Sequence, residues 1–224
     1  LEWINHKDEN DYEEPIIDTV TIGEGTFFKI AAPIYNTGST PIYSLSQQIY
    51  TNEEIGCDGG TIKSVAFHQA AGNNNMRDIV VYLQNVDKTS YASTTDWITF
   101  SDADIVYQGT FDFGKVGEWV TIELQNAFAY TGNNLVITVY DKTGKGFGYD
   151  YDICDKFYYS QIDEWRGMYV TSSAEMNLSS LSPGTKMKTS NWETPQNVYY
   201  LNNIKLGIAC IGSNETTAPD APQN

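Results

Sequence analysis

Hydrophobic and polar positions alternate with a period of two along most of this chain, the pattern of half-buried β-strands. Residues 16–22 show it, and so does Tyr43–Tyr50. In residues 60–68, Val65 and Phe67 share a face. Residues 118–124 turn Val120, Ile122 and Leu124 toward a core and Trp119, Thr121 and Glu123 away from it. Residues 105–113 set Tyr107, Phe111 and Phe113 against Gln108, Thr110 and Asp112. Residues 135–140 bury Leu135, Ile137 and Val139, and residues 203–210 close the series with Ile204, Leu206 and Ile208. Residues 78–84 differ, because Ile79, Val81 and Leu83 face one way while Val80 and Tyr82 face the other. That pattern predicts a strand covered on both faces, or one whose second face carries a binding surface.

Turn chemistry separates these runs, at Asp58-Gly59-Gly60 and at residues 72–75, 114–117 and 132–134. Short strands with almost no helical period predict an all-β fold: a two-sheet antiparallel β-sandwich, with jelly-roll (galactose-binding-like) topology favoured. An immunoglobulin-type Greek key is the alternative. It fits less well, since the Cys…Trp…Cys spacing is missing and the chain is about twice the roughly 100 residues usual for that fold. One helical turn is expected after Tyr50, where Thr51 and Glu54 have the spacing of a capping box.

The 224 residues are long for one sandwich and short for two large domains. Residues 1–17 read as an acidic lead-in segment, residues 18–212 as the sandwich, and the Thr/Pro/Asn-rich residues 213–224 as a linker to a following module. Both ends look like cuts through a longer protein. The 16 Tyr, 9 Phe and 5 Trp suit strands. Charge narrows the partners: 13 bases against 29 acids leave a net −16. Nucleic acid is excluded as a partner, and anionic lipid is repelled. No apolar run is long enough to cross a bilayer, so no membrane insertion is expected. The three cysteines, Cys57, Cys154 and Cys210, form no CxxC pair, which argues against zinc. One disulfide with one buried thiol, or three buried thiols, both remain open.

Candidate chemistry is sparse. The two histidines, His6 and His68, lie near no nucleophile signature, and no triad can be assembled. Asp163-Glu164-Trp165 is the most suggestive acid pair, but adjacent acids do not make the spaced pair a glycosidase requires. A non-enzymatic role is therefore expected. Asp150, Asp152 and Asp155 cluster in residues 148–155 and could hold a structural Ca²⁺, with Glu24 and Asp141 as lesser candidates. The competing reading is an edge strand with Phe147, Tyr149 and Tyr151 inward and the acids outward, blocking edge-to-edge pairing. For carbohydrate, flat sugar faces stack on aromatic rings while polar groups bond hydroxyls. Trp165, Trp192, Tyr149, Tyr151 and Trp119 are the candidates, and Trp97 reads as a core or corner residue.

Four segments carry a resemblance: YSLSQQIYTNEEIG at residues 43–56, GTIKSVAFH at 60–68, DIVVYLQNVDKTSYASTTDW at 78–97 and LNNIKLGI at 201–208. Together they resemble the cleaved-adhesin domains of gingipain-type haemagglutinins and other bacterial surface proteins. The resemblance runs from about Asp18 to Gly212 and is weakest over residues 144–188. It implies a non-catalytic, monomeric extracellular module, attached at the outer-membrane surface or secreted by a gut bacterium. Its partners would be a host or dietary glycan or glycoprotein and further domains of the same chain. It also raises the expectation of structural calcium. The alternatives are a structural spacer, or an accessory domain of a secreted peptidase or glycosidase. Ligand contacts are expected in the loops of residues 144–188, because variable loops on a fixed scaffold usually carry binding.

Overall fold

The computed structural model describes residues 17–29, 32–38, 41–72, 76–114, 116–147, 153–178, 188–189 and 199–211. Two antiparallel sheets pack face to face. The first holds β1 (Asp18–Ile22), β13 (Ile204–Cys210), β4 (Gly60–Ala71), β9 (Lys156–Ile162) and β12 (Tyr199–Asn202) in that order. Here β7 (Trp119–Tyr130) pairs with β4, and β2 (Phe27–Lys29) pairs with β9. The second runs β11 (Lys188–Thr189), β10 (Gly167–Ser172), β3 (Tyr43–Tyr50), β8 (Asn134–Asp141), β5 (Met76–Val86) and β6 (Ile105–Asp112). The chain crosses repeatedly between the sheets, so the core is assembled from residues far apart in sequence.

Alternation places the core where the sequence predicts it. Val65, Phe67, Val120, Ile122, Ile204, Leu206 and Ile208 of the first sheet meet Ile79, Val81, Leu83, Leu135, Ile137 and Val139 of the second. A register shift between Ile62 and Ser64 lets Ile62 and Val65 point the same way. On β5 the second face is covered as well. Val80 and Tyr82 join Leu45, Ile49, Val136 and Tyr140 in a second cluster on the far side of the six-stranded sheet. Tyr91 and Trp97, from the segment after β5, roof that cluster, with Ile98 and Phe100 packed against it. Trp97 is thus a core residue.

The capping box is present: Thr51 caps α1 (Asn52–Ile55), the Glu54 carboxylate accepts from the Thr51 N–H at 2.9 Å, and Gly56 ends the turn at φ +67°. Immediately after it, Cys57 forms a disulfide with Cys210 across 153 residues of sequence, while Cys154 is a buried thiol. Among the described residues no helix is long and apolar enough to cross a membrane.

The described residues 153–178 are not all loop, the character expected of residues 144–188. They contribute β9 to the first sheet and β10 to the second. Their strands escape a period-two reading because β9 is aromatic on both sides, with Phe157 in the core and Tyr158 outside.

Edge strands β6 and β7 come from opposite sheets and are stitched by a side chain. The Gln125 amide accepts from the Gln108 N–H at 3.0 Å and donates to the Gln108 carbonyl at 3.0 Å. This imitates a strand pair and occupies backbone groups that an edge would otherwise expose.

Candidate functional site

The roof of residues 91–100 closes the outer face of the six-stranded sheet, whereas the outer face of the seven-stranded sheet carries an open groove. The groove has a volume of about 500 Å³, within the range of roughly 300–1,000 Å³ typical of small-ligand clefts. Register builds its aromatic wall. His68 of β4 stands directly opposite Trp119 of β7. Because Phe67 and Val120 point into the core, their neighbours His68 and Trp119 must point out. The two rings stack 4.6 Å apart and 15° from parallel. Tyr158 of β9 packs on the other side of His68 at 4.5 Å. The row continues to Phe28, whose ring meets Tyr158 edge-on at 6.2 Å. Phe28 is 51 % exposed, so the row ends on an open apolar ring.

Lysines flank the row. The Lys205 ammonium lies 4.5 Å from the Trp119 ring centroid, and the Lys156 ammonium 5.7 Å from that of Phe28. Both are cation–π contacts.

The opposite wall is the turn of residues 23–26. Ser160 Oγ accepts from the Glu24 N–H at 3.0 Å and the Gly25 N–H at 2.9 Å, and donates to the Asn203 side-chain oxygen at 2.8 Å. The Asn203 amide in turn donates to the Gly25 carbonyl at 2.7 Å. Gly25 is obligatory, since a Cβ there would collide with the Tyr159 carbonyl. The turn is therefore fixed before any ligand arrives, leaving the exposed side chains of Thr21, Glu24 and Thr26 to face the groove. Beneath it, burial first and then the adjacent Tyr200 push the Tyr159 phenol up to about 12, so that group is uncharged at neutral pH.

The sequence-predicted residues fall in different places. Trp119 lies on the outer face as expected and forms part of the groove. Trp165 does not join it. It sits at the corner between β9 and β10, where its indole N–H donates to the Gly167 carbonyl at 3.0 Å and its ring stacks on Tyr199 at 6.1 Å. It also packs against the second cluster, so its role is that of a corner anchor. Trp192, Tyr149, Tyr151, Asp150 and Asp152 lie outside the described residues. Asp155 is fully buried. One of its carboxylate oxygens accepts from the Gln69 amide at 2.9 Å, the other from the Asn36 amide at 2.5 Å. Those bonds turn it inward. Asp141 is likewise committed, in a fully buried ion pair with Arg77. Among the described residues no group of three or more His, Cys, Asp or Glu is placed to hold a metal. Asp163 and Glu164 are exposed in the turn between β9 and β10.

Sequence reading missed His68, Tyr158, Lys205 and the Ser160–Asn203 pair as site residues. The outward direction is legible for His68, three positions from inward Val65 and adjacent to inward Phe67. Their meeting at one place depends on pairing between distant strands, which no local pattern encodes. Comparisons of the chain with protein-family models, curated proteins and solved structures found no match.

Proposed function

We propose that this chain is a non-catalytic carbohydrate-binding module of an exported surface protein, and that it binds through the groove beside Trp119. One observation carries the reading: an open groove on a rigid sheet, with His68, Trp119 and Tyr158 along one side and a hydrogen-bonded turn fixed along the other. Aromatic surface contacts the apolar C–H patches of a sugar, and Glu24, Thr21 and Thr26 accept or donate to hydroxyls. A preformed site loses little conformational freedom on binding. The Cys57–Cys210 disulfide supports an oxidising compartment and thus an exported chain. Membership of the cleaved-adhesin class, surface attachment and host or dietary glycoproteins as partners belong to the same proposal.

The site also explains why binding rather than hydrolysis is the better reading. Glu24 is the one carboxylate among the described residues lining the groove, and a glycosidase requires a spaced pair. A glycan array followed by fluorescence titration tests the proposal. Saturable binding lost in Trp119→Ala and retained in Trp165→Phe supports it. A flat response across a broad array, from protein with a normal melting curve, favours a structural spacer instead.

A further inference from the structure

The lysine inside the groove narrows the ligand further, on the premise that the groove binds saccharide. We infer that the saccharide carries a carboxylate, as in a uronic or sialic acid, and that Lys205 receives it. What distinguishes Lys205 is its place: among the described residues it is the one lysine lining the groove. Lys88 pairs with Asp96 at 2.5 Å and Lys142 with Asp78 at 3.6 Å, whereas Lys63, Lys145 and Lys156, like Lys205, make no ion pair among the described residues. Lys205 extends from β13 over the small side chain of Ala66, its cross-strand partner, and rests against Trp119. Its neighbour across the other edge is Thr21, which is uncharged. No carboxylate lies within ion-pair distance of it among the described residues, although Glu24 lines the same groove.

Covering that ammonium with a ligand removes water from a charge. A neutral sugar hydroxyl returns only an uncharged acceptor to the ammonium, whereas a carboxylate replaces the lost water with a stronger, charge-assisted hydrogen bond. The Trp119 ring holds the ammonium in place beforehand, which reduces the side-chain entropy lost on pairing. Glu24, on the opposite wall, is placed to accept from sugar hydroxyls and repels a second carboxylate, so a single acidic group directed toward β13 fits best. His68, packed between Trp119 and Tyr158, is the other basic group lining the groove.

The experiment is calorimetric titration of the full chain with matched pairs. The methyl glycosides of glucuronic and galacturonic acid, each with one carboxylate, are compared with their methyl esters, and sialyllactose with lactose. The uronate and sialyl arms separate polysaccharide from glycoprotein sources of the same group. The expected result is that at least one acid binds tenfold or more tightly than its neutral counterpart. Lys205→Met should remove that preference, and Trp119→Ala should abolish binding of acid and neutral forms alike. Equal affinity for acid and neutral forms, or a preference that survives Lys205→Met, overturns the inference while leaving the carbohydrate reading intact. No binding of any acidic or neutral saccharide by folded protein overturns both.

Discussion

His68 and Trp119 are direct cross-strand partners on β4 and β7, and their rings stack 4.6 Å apart on the outer face of the seven-stranded sheet. Aromatic pairs of this kind contribute about 0.5–1.5 kcal/mol beyond area burial, so they are common as structural devices. What distinguishes this one is its surroundings. It borders a groove, has a cation at one end of the row, and faces a turn fixed by its own hydrogen bonds. Trp119→Ala should therefore cost only about 1–2 kcal/mol of stability while reducing saccharide affinity at least tenfold. Urea denaturation and titration on the same samples separate the two effects.

The wall opposite is expected to act through position rather than contact. Gly25→Ala cannot be accommodated without moving the turn away from the Tyr159 carbonyl. Overpacking of this kind costs about 1–3 kcal/mol. Affinity should fall although no side chain touching the ligand has been removed. Ser160→Ala should have a similar, smaller effect by freeing the Glu24 and Gly25 N–H groups.

Much of this architecture follows from local pattern, and the site does not. On β5, Ile79, Val81 and Leu83 enter one core and Val80 and Tyr82 another, as their two-sided hydrophobicity implies. Trp119 could be assigned to the outer face because Val120 and Ile122 claim the inner one. Thr51 and Glu54 signal their turn by spacing alone. The groove is different, because it requires β4 to pair with β7, β13 and β9 in one particular register. Tyr158 was hidden further, since a strand with Phe157 and Tyr159 on one side and Tyr158 on the other offers no polar contrast. Trp165 shows the same dependence on distant pairing. Its ring, a sugar-stacking candidate by residue type, packs on Tyr199 and against the second cluster, a contact between segments far apart in sequence.

Removing the disulfide should lower stability without altering the groove. Cys57 and Cys210 join the start of β4 to the end of β13. Chain entropy for so long a loop predicts a loss of about 2–5 kcal/mol. The Cys57→Ser/Cys210→Ser variant should unfold at lower urea than the parent, and a reductant should shift the parent but not the variant. Identical midpoints for parent and variant would show that the bond does not constrain the unfolded chain.

The Arg77–Asp141 pair should behave as a buried charge pair. Both side chains are fully buried, and Arg77 also donates to the Lys145 carbonyl at 2.7 Å. Asp141→Ala leaves an uncompensated cation and should cost about 3–5 kcal/mol. Arg77→Met combined with Asp141→Leu should recover part of that loss, because the remaining charge is removed. A double variant less stable than Asp141→Ala would contradict this account.

Acid should weaken the fold through Glu54. Burial raises its carboxyl pKa, but the hydrogen bonds from Arg166 and Thr51 outweigh burial and hold it below the ordinary carboxylate value. Arg166 grips it through two contacts, at 2.6 and 2.8 Å. A depressed folded pKa gives stability that is complete above the unfolded value of about 4.3. That stability is lost as pH falls through the folded value. The urea midpoints of the parent and Glu54→Gln should therefore differ by a constant amount from pH 5 to 7 and converge below about 4.3. A gap that persists unchanged at pH 3 would show that the Arg166 contact does not depend on the charge of Glu54.

The most direct test of the binding face is two-dimensional amide and indole NMR during titration with a saccharide that the array identifies. The Trp119 indole and the backbone amides of Gly25, His68 and Lys205 should shift together and saturate with one affinity, while the Trp165 indole stays in place. Shifts confined to the corner around Trp165 and Tyr199, with the Trp119 signals unmoved, would contradict the assignment of the groove.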